Sequence, residues 1–102
     1  MADRLTVVPA DLRRAAGEHR ATAERLSAAG SSHAEIMATL ESLGPVFADL
    51  RDAGRLLLDE RRACYEQQAA AHTELADRLG AAAAGWEQHD ADAAQQLRDI
   101  AR

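Results

Sequence analysis

The sequence predicts an all-α fold, an antiparallel helical hairpin of two long helices. Apolar residues make up 47% of the 102 residues, yet Trp, Tyr and Phe occur once each, so alanine and leucine supply most of the apolar surface. Apolar residues recur at helical spacing through both halves of the chain, and Gly44-Pro45 separates the halves. Ala and Leu are strong helix formers, whereas a Gly-Pro pair ends one helix and allows the next to start.

The first helix is predicted to begin at Pro9, because a proline at the first helical position loses no hydrogen bond. Asp11 then falls in the first turn, where a carboxylate interacts favourably with the helix dipole. Residues 1–8 are expected to form a short extended lead-in. Two registers with an interval of seven residues follow, which is the pattern of packed helices. They comprise Leu5, Leu12, His19, Leu26, His33 and Leu40, and Val8, Ala15, Thr22, Ala29, Ile36 and Leu43.

Two signals interrupt the helical pattern. Gly30-Ser31-Ser32 weakens the helix propensity without changing the periodicity, which predicts a bend within one helix or, alternatively, a true break. Gly44 suits the left-handed backbone past a helix end, and Pro45 suits the first turn of the next helix. The second helix is therefore expected to begin near Val46. The turn predicts that residues whose numbers add to about 90 lie side by side, in helices about 50 Å long.

The apolar stripe of the second helix is more polar than that of the first. Gly80 and Gly85 flank an alanine run near its end, and order is expected to weaken there. Beyond Trp86, the helical spacing continues, so residues 86–102 can form a helical or a flexible segment of the single domain 1–102. The stripe comprises Phe47, Leu50, Gly54, Leu57, Cys64, Gln68, Ala71, Leu75, Leu79, Ala82 and Trp86.

A lone hairpin of this composition leaves apolar surface exposed. The run Leu56-Leu57-Leu58 covers more than one face of its helix, which indicates a partner surface. Small scaffolds usually need a staple or a partner, and a dimer that closes into a four-helix bundle would supply one. The residues predicted for the helix seam or the partner interface are Leu12, Leu26, Ile36, Leu40, Leu50, Leu57, Leu75 and Leu79.

Composition argues against several classes of function. The net charge is -5 and the 12 basic residues, all arginine, are interleaved with acids, so no basic patch for nucleic acid is expected. The arginine and alanine content indicates a GC-rich coding genome, as in actinobacteria. The sequence shows no Sec-type signal peptide and no transmembrane segment. Cys64 is the single cysteine, so no intrachain disulfide is expected.

No catalytic, metal or cofactor site is predicted. The four histidines are the conventional ligand or base candidates, and the hairpin register places His19 close to His72. Structural histidines in a polar layer are favoured over a metal site because no His pair stands at i,i+4, although an acid-sensitive switch is also compatible with histidine. Cys64 is expected to be a small buried residue on the seam. The remaining enzyme hypothesis would use His19, His72 and Cys64.

Trp86 and Asp90 stand four residues apart near the end of the chain. On a helix this spacing presents an aromatic ring and a carboxylate on one face. One interpretation is that Trp86 caps the seam while Asp90 is solvated. The other is that the two residues form a recognition signal, because the ring lies past most of its possible partners in the hairpin.

Four features together carry a family resemblance. They are the opening Leu5-Thr6-Val7-Val8-Pro9, the Gly44-Pro45 turn followed by Phe47, the Ala- and Gly-rich second half, and the aromatic-x-x-x-acid pattern near the end. With these four features in this order, the chain resembles the EspC family of type VII (ESX) secretion substrates, which are relatives of the WXG-type proteins. Leu43-Gly44-Pro45 stands where WXG proteins carry Trp-x-Gly, which places the chain in the EspC-like branch.

The resemblance implies a non-enzymatic, leaderless protein that is made in the cytoplasm and secreted, or held at the cell envelope, by a non-Sec route. Its signal would be Trp86 and Asp90, with Trp86 where the family usually has tyrosine. Implied partners are a second helical-hairpin protein, in a homo- or heterodimer, and the ESX secretion ATPase or an associated chaperone; no cofactor is implied. The alternatives are a cytosolic helical adaptor or chaperone that is not exported and, more remotely, a protein that binds at a membrane interface.

Overall fold

The computed structural model describes residues 7–101, and these form a single elongated hairpin of 85 × 29 × 14 Å. The elements are α1 (Pro9–Gly30), α2 (His33–Glu41), a 3-10 turn (Pro45–Phe47) and α3 (Ala48–Ile100). Helices α1 and α2 form one arm, and α3 forms the other. The predicted all-α hairpin is therefore confirmed. Closure into a four-helix bundle stays a prediction, because the structure contains one chain.

The start of α1 follows from its sequence. Val8 has an extended backbone (φ -108°, ψ 107°), Pro9 is the first helical residue, and Asp11 lies in the first turn, as predicted. Residues 1–6 of the predicted lead-in, and with them Leu5, lie outside the described residues.

The first arm has a true break rather than a bend within one helix. Helix α1 ends at Gly30 and α2 begins at His33. The hydroxyls of Ser31 and Ser32 donate to the carbonyls of Ala28 (2.6 Å) and Ala29 (2.8 Å). Serine side chains compete in this way with the regular helix ladder, which explains why the helix is interrupted here although its periodicity continues.

The reversal lies at Gly44 and Pro45, as predicted. Gly44 has φ +82°, a conformation that side chains with a Cβ atom rarely adopt. The amide of Phe47 donates to the Gly44 carbonyl at 3.2 Å, and α3 begins at Ala48, two residues after the predicted start.

The prediction of two helices of similar length was wrong. Helix α3 has 53 residues, which corresponds to about 80 Å at 1.5 Å per residue. It runs without interruption through Gly80 and Gly85 to Ile100. The prediction that helical order weakens at these glycines was therefore also wrong. Arg13 near the start of α1 pairs with Glu87, so the last turns of α3 extend past the first arm. The predicted register, in which the numbers of neighbouring residues add to about 90, fits His19 and His72 near the centre. Toward the free ends the pairing departs from it, as Arg13 and Glu87 show.

The centre of the seam consists of alanines. Five of them are buried, and Ala76 and Ala83 have no exposed surface at all. Small side chains let two helix backbones approach closely, and larger residues then flank the contact. The buried residues are Ala16, Ala23, Ala69, Ala76 and Ala83; the half-buried flanking residues include Leu12, His19, Leu26, Tyr65, His72 and Leu79.

Leu40 closes the seam near the turn. A Cβ atom placed on Gly54 would lie 2.8 Å from Leu40 Cδ2, so the leucine side chain packs directly against the α3 backbone. Glu41 then joins α2 to α3 through Arg55, whose Nε donates to Oε1 at 2.6 Å. This hydrogen bond lowers the pKa of the Glu41 carboxyl. Both contacts fix the second half of the first arm against the start of α3.

Most of the stripe predicted for the second helix lies outside the seam of the hairpin, although Gly54 and Leu79 belong to the seam. Leu50 is 56% exposed and Leu57 is 66% exposed, and Cys64 and Leu75 are also exposed. The stripe lies one residue before the buried positions, as Leu75 does before Ala76, and one residue is 100° of rotation on a helix. The expectation that Cys64 is buried was wrong for the same reason; its sulfur accepts a hydrogen bond from Gln68 at 3.2 Å.

Candidate functional site

The two residues of the predicted signal lie on α3, one helical turn apart. Trp86 is 40% exposed, although tryptophan is the largest apolar side chain in the chain, and Asp90 is fully at the surface. Both side chains are therefore available to a partner. Whether a secretion receptor reads them stays a prediction.

The indole of Trp86 lies in a shallow surface depression. Ala82, Gly85 and His89 line it together with the ring. The imidazole of His89 meets the indole edge-on, with ring centroids 6.1 Å apart and an interplanar angle of 88°. Apart from its chain neighbours, nothing would lie within 4 Å of a Cβ atom on Gly85, so the surface at this glycine is open. Small neighbours thus leave space beside the indole for an apolar group of another molecule.

An ion pair fixes the backbone next to Trp86. Arg13 of α1 makes two hydrogen bonds with the carboxylate of Glu87, and the Nη2–Oε2 distance is 3.0 Å. Two-point contacts between arginine and a carboxylate fix orientation as well as distance. Trp86 is therefore presented where α3 is still held by the first arm; among residues 7–101, no ion pair joins the turns beyond it to that arm. This pair was missed by sequence reasoning, since it depends on the exact register of the two arms.

The predicted seam and interface residues divide into two groups. Leu12, Leu26, Leu40 and Leu79 are half-buried between the arms. Ile36, Leu50, Leu57 and Leu75 are exposed. The structure brings the first group together within one chain and leaves the second group open.

Two stripes that border the seam, a half-buried one on α1 and an exposed one on α3, lie on the same side of the hairpin. In α1, Ala15 precedes buried Ala16 by one residue, and in α3, Leu75 precedes buried Ala76 by one residue. An equal angular offset from the seam on two antiparallel helices points to the same side. We call this side the open face; it comprises Val8, which precedes α1, Ala15, Thr22 and Ala29 of α1, and Leu57, Cys64, Ala71, Leu75, Ala82 and Trp86 of α3.

The predicted proximity of His19 and His72 is confirmed. Their Nδ1 atoms are 2.9 Å apart, and the rings meet edge to edge in nearly one plane, with centroids separated by 5.1 Å and an interplanar angle of 26°. His33 lies elsewhere, with Nε2 3.6 Å from Asp59 Oδ1. Within residues 7–101, no three His, Cys, Asp or Glu side chains are grouped closely enough to hold a metal ion. Over the same residues, no helix is both long and apolar enough to cross a membrane.

The sequence matches one known protein family over almost its whole length. A family model described as "Excreted virulence factor EspC, type VII ESX diderm" matches residues 1–99. The chain belongs to this family. The resemblance drawn from its sequence is thereby confirmed, and the protein is related to type VII secretion.

Relatives of this EspC-family chain occur in mycobacteria. Uncharacterized proteins of Mycobacterium bovis and Mycobacterium tuberculosis are each 49% identical to it over 100 residues. The matched region covers 98% of this chain and 95% of each relative. No solved structure matches the chain.

Proposed function

We propose that this EspC-family protein is a non-enzymatic substrate of a type VII (ESX) secretion system, exported by a non-Sec route and recognised through Trp86 and Asp90. The observation that carries the proposal is the exposed indole of Trp86 on a helical turn that Arg13 and Glu87 hold in place. Exposing so large an apolar group to water is unfavourable unless a partner covers it, and Trp is among the residues most often found at the energetic centre of interfaces.

The chemistry of the pair suits a recognition signal. The indole offers an apolar anchor with an N–H donor, and the Asp90 carboxylate offers a charged acceptor on the same side of α3. A receptor with an apolar pocket and a basic group one helical turn away would bind both. The ESX secretion ATPase or an associated chaperone is the partner that the family membership supports for this role.

Export tests this proposal directly. The tagged protein is expressed in an actinobacterium with an active ESX system and in the same strain without the system's ATPase. We expect the protein in the culture filtrate or cell envelope only when the ATPase is present, with a cytosolic marker as the control for lysis. Retention in the cytosol of both strains, when a known substrate of that system is exported, would contradict the proposal.

We further propose that the open face is covered by a second helical hairpin, which completes a four-helix bundle. Continuous exposure of Leu57, Leu75 and Trp86 along one side supports this arrangement. The partner is a second copy or a related hairpin. The same open face would serve a cytosolic adaptor that pairs with another helical protein and is not exported, and the export experiment separates this alternative from a secretion substrate.

The exchange Leu57→Asp is expected to disrupt this assembly. A carboxylate buried in an apolar interface without a partner is costly, so we expect the dimer dissociation constant to rise by roughly tenfold or more. Leu56→Asp is the matched control, because Leu56 is 69% exposed, close to the 66% of Leu57, but lies 100° away from Leu57 around the helix, outside the open face. Molecular mass is measured by light scattering over a concentration series. Equal effects of both variants would show that the interface lies elsewhere, and a monomeric wild-type chain would exclude the homodimer.

A further inference from the structure

The contact between His19 and His72 imposes a condition on their protons. With 2.9 Å between the two Nδ1 atoms, one nitrogen carries a hydrogen and donates it, and the other accepts with its lone pair. A neutral pair satisfies this condition, and so does a pair that shares one additional proton on an Nε2 atom. A pair in which both rings are protonated does not satisfy it, since both Nδ1 atoms then carry hydrogens that point at each other.

Within residues 7–101, no charged residue lies one helical turn from either histidine on its own helix. The residues one turn away on the two helices are Ala15, Ala16, Thr22, Ala23, Gln68, Ala69, Leu75 and Ala76, and none of them is titratable. Arg20 and Asp77 are the nearest charged groups that join the helices, and they pair with each other at 3.4 Å. Glu74 of α3 is engaged by Arg78 at 2.7 Å, and Glu18 is exposed on α1. Over residues 7–101, neither ring forms an ion pair with a carboxylate.

We propose that His19 and His72 form an acid-sensitive latch in the middle of the seam. In the closed hairpin, the pair accommodates at most one additional proton, whereas in the unfolded or separated arms both imidazoles bind a proton independently. The open state therefore binds more protons than the closed state, and the stability of the hairpin falls as the pH falls. Imidazole is the side chain that exchanges its proton between about pH 5 and pH 8, which sets the range of the response.

The position of the latch determines which part of the hairpin would open at low pH. Ala16 and Ala23 on α1 and Ala69 and Ala76 on α3 are the buried residues on either side of the pair. Alanines contribute little apolar area each, so the seam at this point is held by a thin layer. Loss of the histidine contact would separate the arms at their centre and expose this layer. The inference does not depend on how the protein is exported.

Thermal unfolding at two pH values tests the latch. Midpoints are measured by circular dichroism at about pH 7.5 and about pH 5 for the wild type and for the double variant His19→Gln/His72→Gln. Glutamine preserves hydrogen bonding without titrating in this range. We expect the wild-type midpoint to fall by about 5 to 10 °C more than that of the double variant. The single variant His89→Gln is the matched control and should retain the wild-type response. Protein concentration and oligomeric mass are held equal, so that dissociation of a dimer is not mistaken for opening of the hairpin.

A second measurement applies to the wild-type chain alone, in case the double variant does not fold. Nitrogen-15 chemical shifts of the imidazoles distinguish a protonated from an unprotonated Nδ1. We expect one of each in the folded protein at neutral pH and a loss of folded signal as the second proton binds. A folded hairpin with both rings doubly protonated near pH 5 would overturn the proposal. An equal pH response in the wild type and the double variant would do the same.

Discussion

The exchange Trp86→Ala is expected to abolish export by the ESX system while the helix content stays unchanged. Trp86 is 40% exposed and does not belong to the buried alanine seam, so we expect both helices to form without it. In the proposed complex with the secretion machinery, the same indole is the apolar anchor. Loss of an anchor tryptophan typically costs at least about 2 kcal/mol of binding, which is roughly a 30-fold loss of affinity. The measurement is the exported fraction of each variant, with circular dichroism of the purified protein as the check on folding.

Three further variants show what the receptor reads. Trp86→Tyr installs the residue usual in the family and should support export. Asp90→Asn keeps the shape of the side chain and removes its charge, so export should fall if the carboxylate is bound. Leu97→Ala is the control: this leucine is 68% exposed on the same helix but lies outside the proposed signal. Normal export of Trp86→Ala would remove this residue from the signal, and the depression beside it would then need another explanation.

The features that depend on local chemistry were predictable from the sequence. Pro9 begins the first helix and Gly44 takes a positive φ, because both residues have backbone preferences that no tertiary contact has to supply. The proximity of His19 and His72 followed from the turn, since a hairpin with one reversal has one approximate register. The family itself was recognisable from the same local features together with the C-terminal aromatic-x-x-x-acid pattern.

The face of α3 that forms the seam was not predictable by following large apolar side chains. Leu50, Leu57 and Leu75 mark the most apolar line on the helix, but the closest contact uses the alanines one residue further on. Close approach of two backbones is favoured by small side chains, and hydrophobicity alone does not distinguish a line of leucines that faces the first arm from one that faces a partner. The alanine repeat at 69, 76 and 83, matched by 16 and 23, was the available signal.

The proposed recognition site was predictable as a pair of residues but not as a surface. The spacing of Trp86 and Asp90 placed them one turn apart on a helix, and the structure bears out this geometry. The depression beside the ring depends on Gly85 and His89, and the support of the turn depends on Arg13 and Glu87. These contacts join residues at opposite ends of the chain, and a drift of a few residues in the register would have separated them.

The exchange Ala76→Leu is expected to destabilise the hairpin by about 1 to 3 kcal/mol, the usual cost of adding bulk to a packed contact. Ala76 has no exposed surface, and it lies one turn from the His19 and His72 pair. A leucine here has to push the two arms apart, which also weakens the neighbouring alanine contacts. The free energy of unfolding is measured by urea denaturation at a fixed protein concentration.

The matched control for this exchange is Ala70→Leu. Ala70 is exposed on the same helix, so the variant carries the same change in helix propensity and side-chain size without entering the seam. Surface exchanges of this kind usually change stability by no more than about 0.5 kcal/mol. A large loss in Ala76→Leu and a small one in Ala70→Leu would mean that close contact between alanines, rather than the leucine stripe, holds the two arms together. Equal losses of stability in the two variants would mean that the side of α3 that carries Ala70 is also packed in solution. A partner would then dock on a side other than the open face.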